Sequence, residues 1–382
     1  MRLALIAHGL RAGGGISVGK NIIKTLGELA PDVRYFVSFP AGHGYESCIE
    51  GLRSREVIKY CGSGNLISRY CFEFNKLAKH IEMFKPDLIL CLGNLLVQGV
   101  KFPQLLLVHN PYYVYPRKHH GSLPMPSRIL LRIQIQFFKN DLKKAQAILC
   151  QTETMESRIR SRFSYQGKTY RMPNAVSKLI ELSSPRPSPM KSDRWKSIKN
   201  KKKLLFLSAY YTHKNFECVL ELFQKKRRTL QDYAVIFTFD RNQNKAAREL
   251  DRIISGDDFH NSVVNVGPIA QENLASYYAE SYALFMPSLM ESFSATYLEA
   301  MHFKLPIITS ELDFAREVCG DCAIYCDPWD IESIVSAIRG VDSRRVKMVA
   351  EGSNRLKKYH HGWDDLGSEL LRVIEAESVG VQ

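Results

Sequence analysis

Glu291 and Glu299 stand at the two ends of the run E-S-F-S-A-T-Y-L-E, with seven residues between them, in a chain of 382 residues. Paired carboxylates at this spacing are natural partners for the hydroxyls of a ribose or a sugar. The run before them, Tyr282 to Ser288, reads as an apolar strand that ends at a Pro-Ser turn. After the turn, Phe293, Tyr297, Ala300 and Met301 recur at helical spacing. Ser292 or Ser294 can cap that helix, with Glu291 just before its first turn and Glu299 about two turns further in. Unpaired amides and the positive helix end suit a phosphate at this point. Taken alone, the two glutamates have a plainer alternative as solvated helix residues.

The neighbouring elements favour the chemical reading. A strand follows at Leu305 to Ser310, then Asp313 to Val318, then Gly320 to Pro328. Together with E-S-F-S-A-T-Y-L-E-A-M, this order resembles the C-terminal half of retaining glycosyltransferases of family 4, which have the GT-B fold. The resemblance covers most of residues 203–330 and reaches the N-terminal half only in outline. It implies that Glu299 binds the ribose of a nucleotide-diphosphate sugar and Glu291 the sugar hydroxyls. It also implies that the amides near Ser292, Phe293 and Ser294 hold the diphosphate. In the family, retention is thought to proceed on one face of the sugar without an obvious protein nucleophile.

A departing diphosphate needs positive charge opposite it. No D-x-D occurs, so a helix terminus and a basic side chain are expected to serve in place of a metal, and no cofactor is expected. The basic residue is Lys214 in Tyr210-Tyr211-Thr212-His213-Lys214-Asn215, which resembles the family's Lys-Asn turn. The family places an arginine six residues earlier, where this chain has Ser208. His109, at the end of the strand-like run Gln104 to Val108, resembles the histidine that touches the transferred sugar. Val266-Gly267-Pro268-Ile269 corresponds to the loop that lies against the base, so Gly267 joins the donor-binding set. Asn174 in Pro173-Asn174-Ala175-Val176 matches the family's Pro-Asn-Gly-Val segment except at Ala175.

Gly13-Gly14-Gly15 follows the first strand and precedes a helix expected over 16–30. Glycines there free amides to face an anion, and in the family this loop sits under the donor, which adds Gly14 and Gly15 to the site. Gly14 to Lys20 also fits the P-loop pattern G-x-x-x-x-G-K, which makes a nucleotidase the alternative. Asn21 stands where that pattern requires Ser or Thr, and no apolar strand ending in Asp follows. Gly62-Ser63-Gly64 fails as a dinucleotide fingerprint because Ile67 occupies the third glycine's place.

Strand-like and helix-like stretches alternate along the whole chain. Strands are expected at 2–7, 33–38, 55–60, 87–92, 104–109 and 146–150. A second series is expected at 203–208, 233–239, 262–266, 282–287, 305–309 and 322–326, with helices at 330–340, 343–359 and 363–376. This is the pattern of parallel sheets covered on both faces. The fold class expected is α/β, GT-B, with two doubly wound Rossmann-like domains facing a central cleft. The N-terminal acceptor-binding domain spans 1–182, a Pro- and Lys-rich linker 183–202, and the nucleotide-sugar-binding domain 203–359. A C-terminal helix in 360–382 is expected to return to the N-terminal domain.

Composition agrees with two globular domains: 45% of residues are hydrophobic and the length suits two cores. No run of 18 apolar residues exists, and the N-terminus reads as a buried strand, not a signal peptide. Nine scattered cysteines are expected to be reduced in the cytosol; Cys319 and Cys322 lack a second pair to complete a zinc site. The net charge of +14, from 53 basic and 39 acidic residues, favours anionic partners. Segment 126–144 mixes basic with apolar residues and reads as interfacial or as an ordinary amphipathic helix.

The expected function is transfer of a sugar from a nucleotide-diphosphate sugar to a glycan or polyprenyl-diphosphate-linked acceptor, in polysaccharide or glycoconjugate synthesis, at an anionic cytoplasmic membrane face. A basic nucleic-acid binder is a further alternative, but no zinc finger or RNP-like aromatic motif supports it, and no nucleic-acid partner is expected.

Overall fold

The computed structural model describes residues 1–11, 13–62, 66–176, 180, 193–359 and 362–378. Two compact units are present. The first contains residues 1–114, 124–175 and 360–382; the second contains 115–123 and 176–359. These bounds part from the expected domains chiefly at Tyr115–Leu123, which packs with the second unit. Residues 183–192 of the expected linker lie outside the described residues, and 193–202 hold the short helix Asp193–Ser197 and the start of a strand. Ser63 and Gly64 of the rejected fingerprint also lie outside them.

In the first unit seven strands form one parallel sheet: β1 (Arg2–Ile6), β2 (Arg34–Pro40), β3 (Ser54–Tyr60), β4 (Leu88–Cys91), β5 (Gln104–Val108), β6 (Ala147–Cys150) and β7 (Lys168–Arg171). Their order is β3-β2-β1-β4-β5-β6-β7. The central strands are short apolar runs buried on both faces, as parallel pairing under two helical layers requires. β1 is flanked by β2 and β4, with Leu5 opposite both Val37 and Leu90. The order reverses at β1/β4, so the carboxyl ends there form the unit's natural ligand position.

The helix Gly13–Leu29 starts three residues earlier than expected, so the three glycines form its first turn and not a preceding loop. Gly13 enters with φ +57°, a left-handed conformation that favours glycine. This overturns the P-loop alternative. Residues 14–20 are helical, and beyond the first turn their amides bond within the helix instead of cradling phosphate. Lys20 Nζ rests 5.6 Å from the Tyr45 ring centroid.

The helix Trp363–Ser378 packs beside Gly13–Leu29, and Trp363, Leu366, Leu370 and Ile374 enter the core of the first unit. Each such fully buried apolar side chain contributes about 1.5–3 kcal/mol. The two helices approach closely at Gly367: a β-carbon there would fall 2.3 Å from Thr25 Cγ2.

The second unit repeats the plan with β8 (Lys202–Phe206), β9 (Tyr233–Phe237), β10 (Val263–Asn265), β11 (Ala283–Met286), β12 (Ile307–Ser310) and β13 (Ala323–Cys326), ordered β10-β9-β8-β11-β12-β13. Its switch point lies between β8 and β11, paired at Leu205 and Leu284. Two of the basic clusters are engaged by local acids: Lys202 meets Asp342, Lys225 meets Glu221 and Lys226 meets Glu332. All nine cysteines are free, and six are buried.

Candidate active site

Two loops at the carboxyl end of the second sheet carry the site. After β8 the chain makes a 3-10 turn at Thr212–Lys214 and closes on Asn215 at φ +65°. Asparagine tolerates this left-handed conformation. Its Nδ2 donates to the carbonyls of Pro287, at 3.3 Å, and Pro328, at 2.9 Å. The Leu289 amide donates to the His213 carbonyl at 2.7 Å. The β8 and β11 loops are thereby tied together, and Lys214 Nζ donates to Glu291 Oε1 at 2.5 Å. Both side chains are largely buried, 12% and 9% exposed. Read from their motifs, the two residues have separate roles; the fold joins them in one ion pair.

The helix carrying Glu299 runs from Ala295 to His302, so Glu299 lies about one turn from its start and not two. Ser294 occupies the N-cap position but accepts no amide hydrogen bond there; its Oγ pairs with Thr296 Oγ1 at 2.8 Å. The Tyr297 amide donates to the Ser294 carbonyl at 3.1 Å, and no Ser294 side-chain cap takes the amides before it. Ser292 and Phe293 precede the helix and are buried. Glu299 Oε2 accepts from the Tyr278 hydroxyl at 2.6 Å. Burial raises the Glu299 pKa, with the Tyr278 hydrogen bond acting in the opposite direction. Tyr278 itself stacks on Phe303 at 4.9 Å. Sequence reading missed Tyr278, which lies 21 residues from its partner on a different helix.

Gly267 adopts φ +75°, and nothing lies within 4 Å of where a β-carbon would stand, so the loop offers a bare backbone surface. Ser208 supplies no positive charge: its hydroxyl donates to the Ala209 carbonyl at 2.8 Å. Tyr115–Leu123, also unforeseen, braces the same loops. The Tyr115 hydroxyl donates to Asp313 Oδ1 at 2.9 Å, and His119 Nδ1 lies 2.6 Å from the Leu289 carbonyl oxygen. Thr212 Oγ1 donates to the His120 carbonyl at 2.8 Å.

The first unit has a locus of its own. His109 follows β5 and donates its amide to Asn94 Oδ1 at 2.7 Å. Burial of the imidazole pulls its pKa down to about 4, so it is neutral at ordinary pH. A β-carbon on Gly15 would lie 3.3 Å from His109 Cε1, whereas Gly14 faces open space. Beside them is a buried polar network that no sequence motif announced. His8 Nε2 lies 2.9 Å from Glu73 Oε1 and His8 Nδ1 lies 3.2 Å from Ser38 Oγ. Arg69 Nε donates to Glu73 Oε1 at 2.6 Å.

Residues 189–359 match the family described as Glycosyl transferases group 1. The O-antigen chain mannosyltransferase RfbU of Salmonella typhimurium is 23% identical over 253 residues, covering 64% of this chain and 67% of that protein. Sucrose-phosphate synthase from Thermosynechococcus elongatus superposes with a TM-score of 0.77 at 16% identity, over 98% of each chain. Anabaena Alr3699/HepE in complex with UDP-glucose gives 0.72 at 15% identity, over 98% of this chain and all of that one. The fold shared with these structures is GT-B.

Proposed function

From a chain that has the GT-B fold and carries a Glycosyl transferases group 1 domain over residues 189–359, we propose a retaining, metal-independent transferase. It moves a sugar from a nucleotide-diphosphate sugar to a glycan or polyprenyl-diphosphate-linked acceptor. The observation that carries this reading is the Lys214–Glu291 pair set beside the open N-terminus of Ala295–His302. In this reading the diphosphate takes the Lys214 ammonium and the helix amides, which stabilise the charge that develops on the leaving group. Glu291 then turns to the sugar hydroxyls, Glu299 accepts from the ribose, and Gly267 lies against the base. On the first unit, His109 and the Gly14-Gly15 turn are assigned to the transferred sugar. A neutral imidazole suits hydrogen bonding to hydroxyls. The names of the similar proteins make mannose and glucose the first donor sugars to test. The test is thermal stabilisation by a panel that includes GDP-mannose and UDP-glucose, without metal. Binding of a donor at 100 times its Kd stabilises by about 2.7 kcal/mol, and no shift with any nucleotide sugar overturns the reading.

A second reading concerns place, and the helix Met125–Leu142 favours it. Met125, Ile129, Leu130 and Ile133 are 66%, 53%, 41% and 45% exposed, while Leu131, Phe138 and Leu142 face the core. Arg132 and Lys139 are exposed on the same helix. Apolar side chains bordered by cations match the interface of an anionic bilayer, and we assign this face to it. Among the described residues no helix is long and apolar enough to cross a membrane.

A further inference from the structure

We propose that Arg69 is the phosphate-binding residue of the acceptor site, receiving a phosphate oxygen of the acceptor above Gly9 and Gly93. The assignment rests on the transferase reading above.

The argument begins with a buried carboxylate. Glu73 is 1% exposed and opens the π-helical turn Glu73–Leu77, a local widening that often accompanies functional positions. Burying its charge requires compensation, and Arg69 and His8 both converge on Oε1. This fixes the plane of the Arg69 guanidinium, which is only 13% exposed. Of the five N–H donors of arginine, only that on Nε is used. Among the described residues neither η nitrogen has a hydrogen-bond acceptor. Neither η nitrogen is a buried orphan, so the remaining donors stay open to solvent, and their planar fork fits an oxyanion.

The guanidinium itself packs against bare backbone. A β-carbon on Gly9 would come within 3.0 Å of Arg69 Nη1, and one on Gly93 within 3.9 Å of it. Gly9 and Gly93 follow β1 and β4, the strands between which the sheet order reverses. Asn94, next in the chain, has φ +64° and holds the His109 amide. Arg69 therefore borders the His109 locus. With Glu73 ionised and His8 kept neutral by burial, the cluster has no net charge. Recognition comes from aimed N–H groups, and so it selects a bidentate oxyanion over a diffuse negative charge.

The probe is farnesyl diphosphate, a short prenyl diphosphate, titrated calorimetrically into the full chain beside the free nucleotide diphosphate. Wild type is expected to bind it, and Lys214→Ala to retain that affinity. Arg69→Gln should lose tenfold or more, and Arg69→Lys nearly as much because the fork is gone. Both should bind nucleotide like wild type. If loss of the Glu73 partner unfolds the Arg69 variants, Gly9→Ala serves: it keeps both Arg69 and Glu73, places a methyl 3.0 Å from Nη1 so that the fork must shift, and should weaken the probe several-fold. Unchanged probe affinity in Gly9→Ala and Arg69→Lys overturns the assignment, as does a loss that follows Lys214 instead. Inorganic phosphate binding as tightly as the prenyl probe, with the same Arg69 dependence, assigns the site to free phosphate and also overturns it. Failure of every nucleotide to bind wild type would sink the transferase reading, not the Arg69 measurement.

Discussion

Lys214 and Glu291 meet at 2.5 Å with both side chains largely out of solvent. Each is the other's charge partner, so neither can be removed without leaving a desolvated charge. In the proposed reading an arriving diphosphate offers Lys214 a stronger partner and frees Glu291 for the sugar. Donor binding and placement of the carboxylate thus become one event.

Lys214→Ala should lower kcat/KM roughly 10- to 100-fold, the value of a charge-assisted phosphate contact of about 1.5–3 kcal/mol. Steady-state kinetics with varied donor measure it. Native activity should persist with a chelator present; its abolition would show that the charge is supplied by a metal.

Glu291→Gln and Glu299→Gln should differ in kind. In the proposed reading the ribose bonds of Glu299 exist in ground and transition states alike, so their loss raises KM and weakens free nucleotide. In the same reading Glu291 faces developing positive charge on the sugar, so its loss falls on kcat, while nucleotide affinity stays level or rises because Lys214 no longer has to leave its carboxylate partner. Tyr278→Phe removes the bond that orients Glu299 and should raise the nucleotide Kd roughly 3- to 10-fold with kcat unchanged, at about 0.5–1.5 kcal/mol. Wild-type binding and turnover in both glutamine variants would show that neither carboxylate contacts the donor.

Burial raises the Glu299 pKa. In the proposed reading the ionised form accepts ribose hydroxyls more strongly than the protonated one, so nucleotide affinity should fall as pH drops through that raised pKa. The onset should come at higher pH than for an ordinary carboxylate, and Glu299→Gln should flatten the profile. His109 shifts the other way, from 6.5 to about 4. Its unfolded form binds the proton first, so it costs the fold stability as pH falls from about 6.5 toward 4. Melting curves across that range should be flatter for His109→Gln.

Co-sedimentation with vesicles should require anionic lipid and weaken with salt. Replacing Ile129 and Ile133 by Gln should reduce it without altering nucleotide affinity, and Arg132→Gln should weaken it by about 1 kcal/mol at most. Equal partition into neutral and anionic vesicles would remove the assignment of this helix to a membrane.

Gly367→Leu should destabilise the first unit by about 1–3 kcal/mol, since the new side chain meets Thr25 and Leu29. Thermal unfolding measures the loss, and an unchanged Tm would show that the helix is not held there.

The sheets were legible because their strands are apolar runs separated by amphipathic helices, a local property. β7, Lys168–Arg171, escaped notice because an edge strand half open to solvent carries no apolar run. The glycine turn was read as loop because glycine disfavours helices, yet Gly13 is suited to the strained entry. Glu291, Glu299 and Lys214 could be named because they lie in short motifs at strand ends. Tyr278 and the Tyr115–Leu123 brace could not, because each acquires its partner only through tertiary packing; Arg69 and Glu73 are four residues apart, but their burial with His8 is a product of the fold. Their polar side chains, read singly, are those of any solvated surface.

The helix Trp363–Ser378 belongs to the core of the first unit but follows the whole of the second in the chain. Synthesis therefore delivers the seven-stranded sheet without one of its covering helices. The stretch Val176–Tyr359 must leave the ribosome before that gap can close, which takes roughly ten seconds or more at about 5–20 residues per second. Over that interval, apolar side chains such as Ile22, Ile23 and Leu26 in the partner helix wait for their cover. The unit that begins first in the chain is thus the last to have all of its residues synthesised.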